Sequence, residues 1–405
     1  MTEHRLRIDA MSRRGEGLAG AGQQRLFIAG ALPGEEVLAD GDGAQLSLTS
    51  VLRASPERID PLCSHYGRCG GCQLQHWQDA PYRAWKAAQV SEALAARGLI
   101  HPAPDCVDAH GAGRRRVSLH ARQASGKVTA GYMAARSHAL IDISKCPILE
   151  PVLGPAFDIA RAMAAQLGDC DVALSATLTG LDASVRAERG AVKARQAELP
   201  QLIHDLGLAR LSVNGEIIAT AVSPRVMLGR AEVVIPPGGF LQATALGEAT
   251  LARFVLDAVG KAKSVADLFC GIGPFSFRLA ESARVAAFDS DRGAIAALND
   301  AVRSTAGLKP ITASVRDLFR EPLVPNEMKD FDAVVFDPPR AGAEAQARQL
   351  ARSQVRTVVA VACDAQSFAR DAALLTAGGY ALKRLVTVDQ FKWSSHVEIA
   401  ALFMR

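Results

Sequence analysis

Residues Ser264 to Ala280 read SVADLFCGIGPFSFRLA, and this stretch decides the fold. The apolar run from Ser264 to Phe269 predicts a buried strand. Cys270 to Gly273 reads as a turn, and a helix is expected from Pro274 onward. A strand–turn–helix with glycines in the turn lets a ligand approach the backbone closely. Downstream, VAAFDSD sets Asp289 and Asp291 at the end of a second strand, where an acid accepts hydrogen bonds from ribose hydroxyls. FDAVVFDPPRAG then gives a strand from Phe331 to Phe336. Asp337-Pro338-Pro339-Arg340 leaves that strand as a loop with little conformational freedom. The pattern is that of an open α/β sheet with a site for a nucleoside-like cofactor. Position 276 is serine, so G-x-G-x-x-G is incomplete, which counts against a nicotinamide dinucleotide.

Two further strands complete this half. Val359 to Asp371 reads VAVACDAQSFARD. It places Cys363 at a strand's carboxyl end, just before a helix whose polar side is expected to carry Ser367, Arg370 and Asp371. A helix N-terminus stabilises a thiolate, so Cys363 reads as a nucleophile. The competing reading is a buried structural cysteine. In the terminal QFKWSSHVEIAALFMR, Glu398 lies between Val397 and Ile399. Desolvation there would raise its pKa and suit a general base. The alternative is a solvent-facing glutamate on an edge strand.

The chain has 405 residues, enough for two or three domains. Hydrophobic residues at 49% and charged residues at 22% fit a globular protein with a substantial core. The formal charge of +4 permits a nucleic-acid partner without requiring one. The sequence has no run of membrane-spanning length and no signal-peptide pattern, so a cytoplasmic protein without a membrane partner is expected. In that compartment the eight cysteines point to metal or catalysis rather than disulfides.

Three regions are expected. Residues 1–55 read as a small β-barrel, with strands at Leu6 to Ile8, Gln24 to Ile28, Glu36 to Ala39 and Leu46 to Leu52. Glycines, among them Gly15, Gly17, Gly22, Gly30 and Gly34, punctuate these strands. Residues 56–235 form a central α+β region. It opens on PLCSHYGRCGGCQLQHW, where Cys63, Cys69 and Cys72 form C-x5-C-x2-C, and Cys146 is a fourth candidate ligand. Four thiolates could hold zinc or a [4Fe–4S] cluster. The lone distant fourth cysteine, followed by proline, favours the cluster. His65 and His76 are not needed as ligands. A helix is expected from Asp79, as N-cap, to Gly98. Arg114-Arg115-Arg116 opens a hairpin of Val117 to Ala121 and Val128 to Met133; these arginines are either phosphate contacts or a solvated strand end. Cys106 and Cys170 receive no role. Residues 236–405 hold the cofactor-type motifs.

Taken together and in order, these motifs resemble the S-adenosylmethionine-dependent RNA 5-methyluridine methyltransferases that carry an iron–sulfur cluster. The resemblance covers nearly the whole chain. It implies an α/β Rossmann-like class I methyltransferase domain, preceded by a TRAM-like barrel that includes GALPGE at Gly30 to Glu35 and by an iron–sulfur domain. It implies Cys63, Cys69, Cys72 and Cys146 as ligands of a [4Fe–4S] cluster. It also implies Gln242, Phe269, Gly271, Gly273, Asp289 and Asp337 at the S-adenosylmethionine and active-site positions, Cys363 as nucleophile and Glu398 as base. Asp337 is expected to orient the base or the cofactor. The substrate would be a uridine in ribosomal or transfer RNA, and the protein a monomer. Three departures stand out: Asp364-Ala365 replaces the usual Asn-Pro after the nucleophile, Pro274 follows the glycine loop, and FLQAT surrounds Gln242. Two other classes stay open: an RNA-binding or chaperone protein without catalysis, and a cytosine-5 RNA methyltransferase.

Overall fold

The computed structural model describes residues 2–20 and 25–405. The expected strand start at Gln24 and the glycine at Gly22 lie outside the described residues.

The N-terminal sheet contains β1 (Glu3–Arg7), β2 (Ala10–Met11), β3 (Glu16–Ala19), β4 (Leu26–Ala29), β5 (Glu36–Asp40) and β6 (Gln45–Arg53), in the order β1-β5-β6-β4-β3-β2. β1 and β2 are one run bent at Ile8 and Asp9. Ile8 N donates to Glu35 O at 2.9 Å, next to β5, and Asp9 N donates to Leu18 O at 2.8 Å, in β3. The two margins of the sheet therefore meet, and it rolls around Ile8, Ile28, Val37 and Leu46. The first strand ends before Ile8 rather than at it. β2 and β3 went unseen in the sequence because they are too short to show alternation. Within GALPGE, Glu35 is fully buried. Its carboxylate takes Arg58 Nε at 2.6 Å, Arg58 Nη2 at 2.7 Å and Leu32 N at 2.8 Å, so that motif holds a turn.

Next come α1 (Asp79–Ala95) and β7 (Asp105–Asp108). Gln78, not Asp79, occupies the cap position of α1; Asp79 is its first residue and pairs with Arg83 at 2.8 Å. A seven-stranded sheet follows, made from β8 (Arg116–Ala124), β9 (Lys127–Met133), β10 (Leu140–Asp142), β11 (Cys170–Thr177), β12 (Gly180–Ala187), β13 (Leu208–Val213) and β14 (Glu216–Thr220). Its order is β10-β9-β8-β11-β12-β13-β14. Of the helices α2 (Ala156–Leu167), α3 (Arg189–Arg195) and α4 (Gln201–Asp205), α2 packs against β8, β9 and β11. It buries Phe157, Ala160, Met163 and Leu167.

The last region holds the hairpin β15 (Arg225–Leu228) and β16 (Ala231–Val234) and then alternates helix and strand. Its elements are α5 (Ala245–Val259), β17 (Ser264–Leu268), α6 (Ser276–Leu279), β18 (Arg284–Asp289), α7 (Arg292–Ser304), β19 (Ile311–Val315), β20 (Ala333–Phe336), α8 (Glu344–Arg352), β21 (Thr357–Ala362), α9 (Ala365–Ala377), β22 (Ala381–Asp389) and β23 (Glu398–Met404). The strands make one sheet in the order β19-β18-β17-β20-β21-β23-β22-β7. β17 through β21 are parallel, and β23 returns antiparallel between β21 and β22. The order reverses at β17, and ligands of such sheets bind outside the strand ends at that point.

β7 forms the far edge of this sheet, parallel to β22, and α1 packs on α9. β16 packs on α7. The division expected at residue 236 therefore does not follow the packing: parts of the central stretch belong with the last sheet. Among the described residues no helix is long and apolar enough to cross a membrane.

Candidate active site

Parallel strands bring their carboxyl ends to one edge. Phe269 follows β17, Asp289 ends β18, Asp337 follows β20 and Cys363 follows β21. Glu398 reaches the same edge from the other direction, because β23 runs antiparallel and begins there. The register pairs Ala362 with Ile399, so Cys363 and Glu398 stand opposite each other at the sheet's margin. Phe269, Gly271, Asp289, Asp337, Arg340, Cys363, Gln242 and Glu398 all line one cavity of about 430 Å³. A second cavity, of about 780 Å³, has Cys363 and Arg340 in its wall together with Arg13, Arg14 and Phe27 of the N-terminal sheet. Cys363 thus lies between a cofactor-sized space and a larger one that reaches another sheet.

The expected strand–turn–helix forms beside this cavity, with differences: Gly271 lines it, whereas Gly273 does not and packs against Leu298 and Phe277. β17 ends at Leu268, one residue early, and α6 is a single turn starting at Ser276 rather than at Pro274. Phe269 holds a left-handed φ of 60°. That conformation costs a non-glycine residue about 1–2 kcal/mol and turns the chain sharply into the glycine loop. Gly271 also has positive φ, and a Cβ there would meet nothing within 4 Å. The backbone at Gly271 is therefore open to the cavity, a cradle that fits a nucleoside-bearing ligand. Asp289 accepts Gly271 N and Asp291 N, each at 2.8 Å, and retains lone pairs for ribose hydroxyls. Asp291 instead caps α7.

The acids are held by amides. Gln242 Nε2 donates to Asp337 Oδ2 at 3.1 Å, and Gln242 Oε1 accepts from Gln390 Nε2 at 2.7 Å. Burial pushes Asp337 up to about 7, against the Gln242 hydrogen bond. Burial and then the Asp337 charge push Glu398 up to about 8. Glu398 is only 4% exposed, so it is not a solvent-facing residue. The Cys363 thiol goes up to about 12, through burial first and then the charges of Glu398 and Asp337, with Arg340 opposing. The helix N-terminus does not produce a low-pKa thiol in the resting site, contrary to the expectation from its position. Asp364 caps α9 in front of it, accepting Gln366 N and Ser367 N at 2.9 Å.

Asp371 is not on a polar helix face. It is buried and accepts Ala343 N at 2.6 Å, while Arg370 Nη2 donates to Ala341 O at 2.9 Å. Together they pin the end of the Asp-Pro-Pro-Arg loop. Sequence reasoning gave no role to Gln390 or Asp267. Asp267 is buried in β17 and pushed up to about 7 by burial; it takes Ser276 Oγ at 2.5 Å. Its signal was an acid inside an apolar strand. Gln390 carried none.

Cys63, Cys69, Cys72 and Cys146 line one small cavity. Gly71 N donates to Cys69 Sγ at 3.4 Å, as donors around bound thiolates do. Burial raises the thiols of Cys69, Cys72 and Cys146. Among the described residues no three His, Cys, Asp or Glu side chains are placed to hold a metal ion. Of the three arginines, Arg115 is a structural tie: it is buried, donating to Gln242 O at 3.0 Å and to Glu248 Oε2 at 2.6 Å. Arg114 and Arg116 lie over Phe391 and Phe240.

Comparison with known proteins decides the family. Residues 233–405 match the family model described as tRNA (Uracil-5-)-methyltransferase. The chain is 43% identical over 402 residues to an RNA methyltransferase of Brucella suis biovar 1, covering 98% of this chain and 97% of that protein. It is 34% identical over 427 residues to the 23S rRNA (uracil(1939)-C(5))-methyltransferase RlmD of Chromohalobacter salexigens, covering 99% and 89%. The chain belongs to the RNA uracil-5-methyltransferase family. This RNA methyltransferase also shares its fold with the tRNA (uracil-54, C5)-methyltransferase of Pyrococcus abyssi, solved with S-adenosyl-L-homocysteine. That match has a TM-score of 0.77 at 22% identity and covers 99% of both chains.

Proposed function

We propose that this methyltransferase moves a methyl group from S-adenosylmethionine to carbon 5 of a uridine in 23S rRNA, through a transient bond from Cys363 Sγ to carbon 6. The observation that carries this reading is the convergence of Cys363, Asp337 and Glu398 on the cavity that also exposes the Gly271 backbone. The full-length likeness to the Chromohalobacter enzyme favours ribosomal over transfer RNA.

Carbon 5 of uracil is a poor nucleophile. As Cys363 Sγ bonds to carbon 6, its proton passes to water and the ring electrons shift towards the carbonyl, making carbon 5 nucleophilic. S-adenosylmethionine supplies an electrophilic methyl group on a sulfonium. Asp337, held by Gln242, orients the reacting partners. Glu398 removes the proton from carbon 5, and the electron pair re-forms the ring double bond and expels the sulfur. The elevated Glu398 matches a base that must take a carbon-bound proton near neutral pH. The target base must leave its stack to reach Cys363, and the larger cavity gives it room.

The rolled N-terminal sheet is read as a TRAM-like barrel that grips RNA, and residues 56–235 as the cluster-bearing part. Cys63, Cys69, Cys72 and Cys146 would hold a [4Fe–4S] cluster in a structural role, since the reaction moves no electrons.

RNA carrying 5-fluorouridine tests the reading. Fluorine cannot leave as a proton does, so a stable adduct at Cys363 is expected by mass spectrometry. An adduct formed on fluorocytidine instead would assign cytosine as the target. Mapping 5-methyluridine in cells lacking the protein names the position. Loss in 23S rRNA is expected, and loss confined to transfer RNA would overturn the substrate choice.

A further inference from the structure

Lys86 lies on α1, in a stretch that the sequence reading treated as an ordinary helix. Its side chain is fully buried. Nζ donates to Asp389 Oδ1 at 2.5 Å, His396 O at 2.7 Å and Phe391 O at 3.2 Å. Asp389 ends β22 and Glu398 begins β23. One ammonium group therefore grips the connection 390–397 at both ends. Tyr82, one turn earlier on α1, donates from Oη to Asp389 Oδ2 at 2.8 Å and accepts Trp393 N at 2.8 Å. Trp393 holds a φ of 59°, a strained value for a bulky residue, so the connection needs these ties to keep its shape. The same connection carries Gln390, whose amide reaches the Gln242–Asp337 pair.

We propose that Lys86 is a positioning residue for Glu398: its buried ammonium fixes the 390–397 connection at both ends and so holds the carboxylate opposite Cys363. The proposal rests on Glu398 being the base.

A methionine would fill the same volume without desolvating a charge, so packing alone does not call for lysine here. The charge does what packing cannot. Glu398 is faced by Asp337 at the end of β20 and Cys363 at the end of β21. The charges of Arg340 on the Asp-Pro-Pro-Arg loop and Lys86 on α1 act on it, and the uncharged Gln390 of its own connection hydrogen-bonds it. Asp337 raises its pKa, while Lys86 and Arg340 lower it. Arg340 is exposed and near His396, with Nη2 at 2.6 Å from Nδ1. Arriving RNA phosphates can screen it, whereas Lys86 stays in place whatever binds.

The test follows adduct formation and adduct resolution separately on substrate RNA across pH. Resolution needs ionised Glu398 and should rise with pH in the native enzyme. In Lys86→Met its midpoint should move up by about one pH unit, a tenfold slower resolution at pH 7 that recovers at pH 9. Adduct formation should change only a few-fold. Lys86→Arg should restore the midpoint. Tyr82→Phe loosens the same connection while keeping the ammonium, so it should lower rates without moving the midpoint. If Lys86→Met does not fold, Lys86→Met with Asp389→Asn removes the orphaned anion, and its midpoint should still lie above the native one, by less than in the single variant. If neither folds, Asp389→Asn alone serves: without its counter-ion the desolvated Lys86 gives up its proton, so the midpoint should move up as in the double variant. A uniform loss at every pH with a fixed midpoint would reduce Lys86 to a structural role. Wild-type turnover by Glu398→Gln would instead remove the base reading itself.

Discussion

Two groups of thiols in this molecule are alike by chemistry and opposite by setting. Burial pushes Cys363 up to about 12 and Cys72 up to about 11. At Cys363 the next influences are two carboxylates and an arginine. At Cys72 they are the Gln75 side chain and the thiols of Cys146 and Cys69, with Arg114 between them in weight. Cys363 opens onto two sizeable cavities, whereas the four clustered cysteines face one another around a small one. A sulfur among acids beside open space is equipped to meet a large visitor while a proton is shuffled. Burial raises Cys363, Cys69, Cys72 and Cys146 alike, so the nucleophile proposed at Cys363 must be activated by what arrives. The two are also joined, since Gln73 N and Leu74 N, next to Cys72, donate to Trp393 O at 2.8 and 3.1 Å.

The contrast breaks most easily at Cys363. Cys363→Ala should abolish turnover while RNA affinity survives in a filter-binding assay; measurable methyl transfer would end its special status. Glu398→Gln comes next, with turnover down about 10²–10⁴-fold and the protein–RNA adduct accumulating on a denaturing gel. The native enzyme's adduct resolution should rise as pH passes through about 8, because the base acts in its ionised form and its pKa is raised to that value. A flat profile there would separate Glu398 from the proton removal.

Cys69→Ser probes the other group. On the proposed cluster reading the purified protein is brown, and this variant should be colourless and melt at lower temperature, with turnover down several-fold through the Trp393 contact rather than abolished. An unchanged spectrum would remove the cluster from the account. The smallest effect is expected at Asp371→Ala. Losing the buried acceptor of Ala343 N should cost about 2 kcal/mol in a denaturant titration. It should lower kcat/KM a few-fold as the loop bearing Asp337 loosens.

Much of this was legible along the chain because it is local. Strand–turn–helix at 264–280, the C-x5-C-x2-C spacing and the Asp-Pro-Pro-Arg loop are each set by neighbouring residues. Asp371 was misjudged because helical periodicity gives a face but not what covers it; the neighbouring loop does. Arg115 looked like part of a cationic strand end, yet Glu248, far along the chain, claims it.

By itself the sequence determined the alternation of strands and helices, the glycine cradle, the candidate nucleophile and the candidate cluster ligands, since short-range sterics and spacing dictate them. Tertiary structure alone decided that β23 inserts antiparallel beside β21 and sets Glu398 across from Cys363. It alone decided that β7 joins the last sheet and α1 packs on α9, bringing Lys86 onto the connection that leads into that acid. Both depend on strand register and on burial between segments distant in sequence, and no local pattern encodes either.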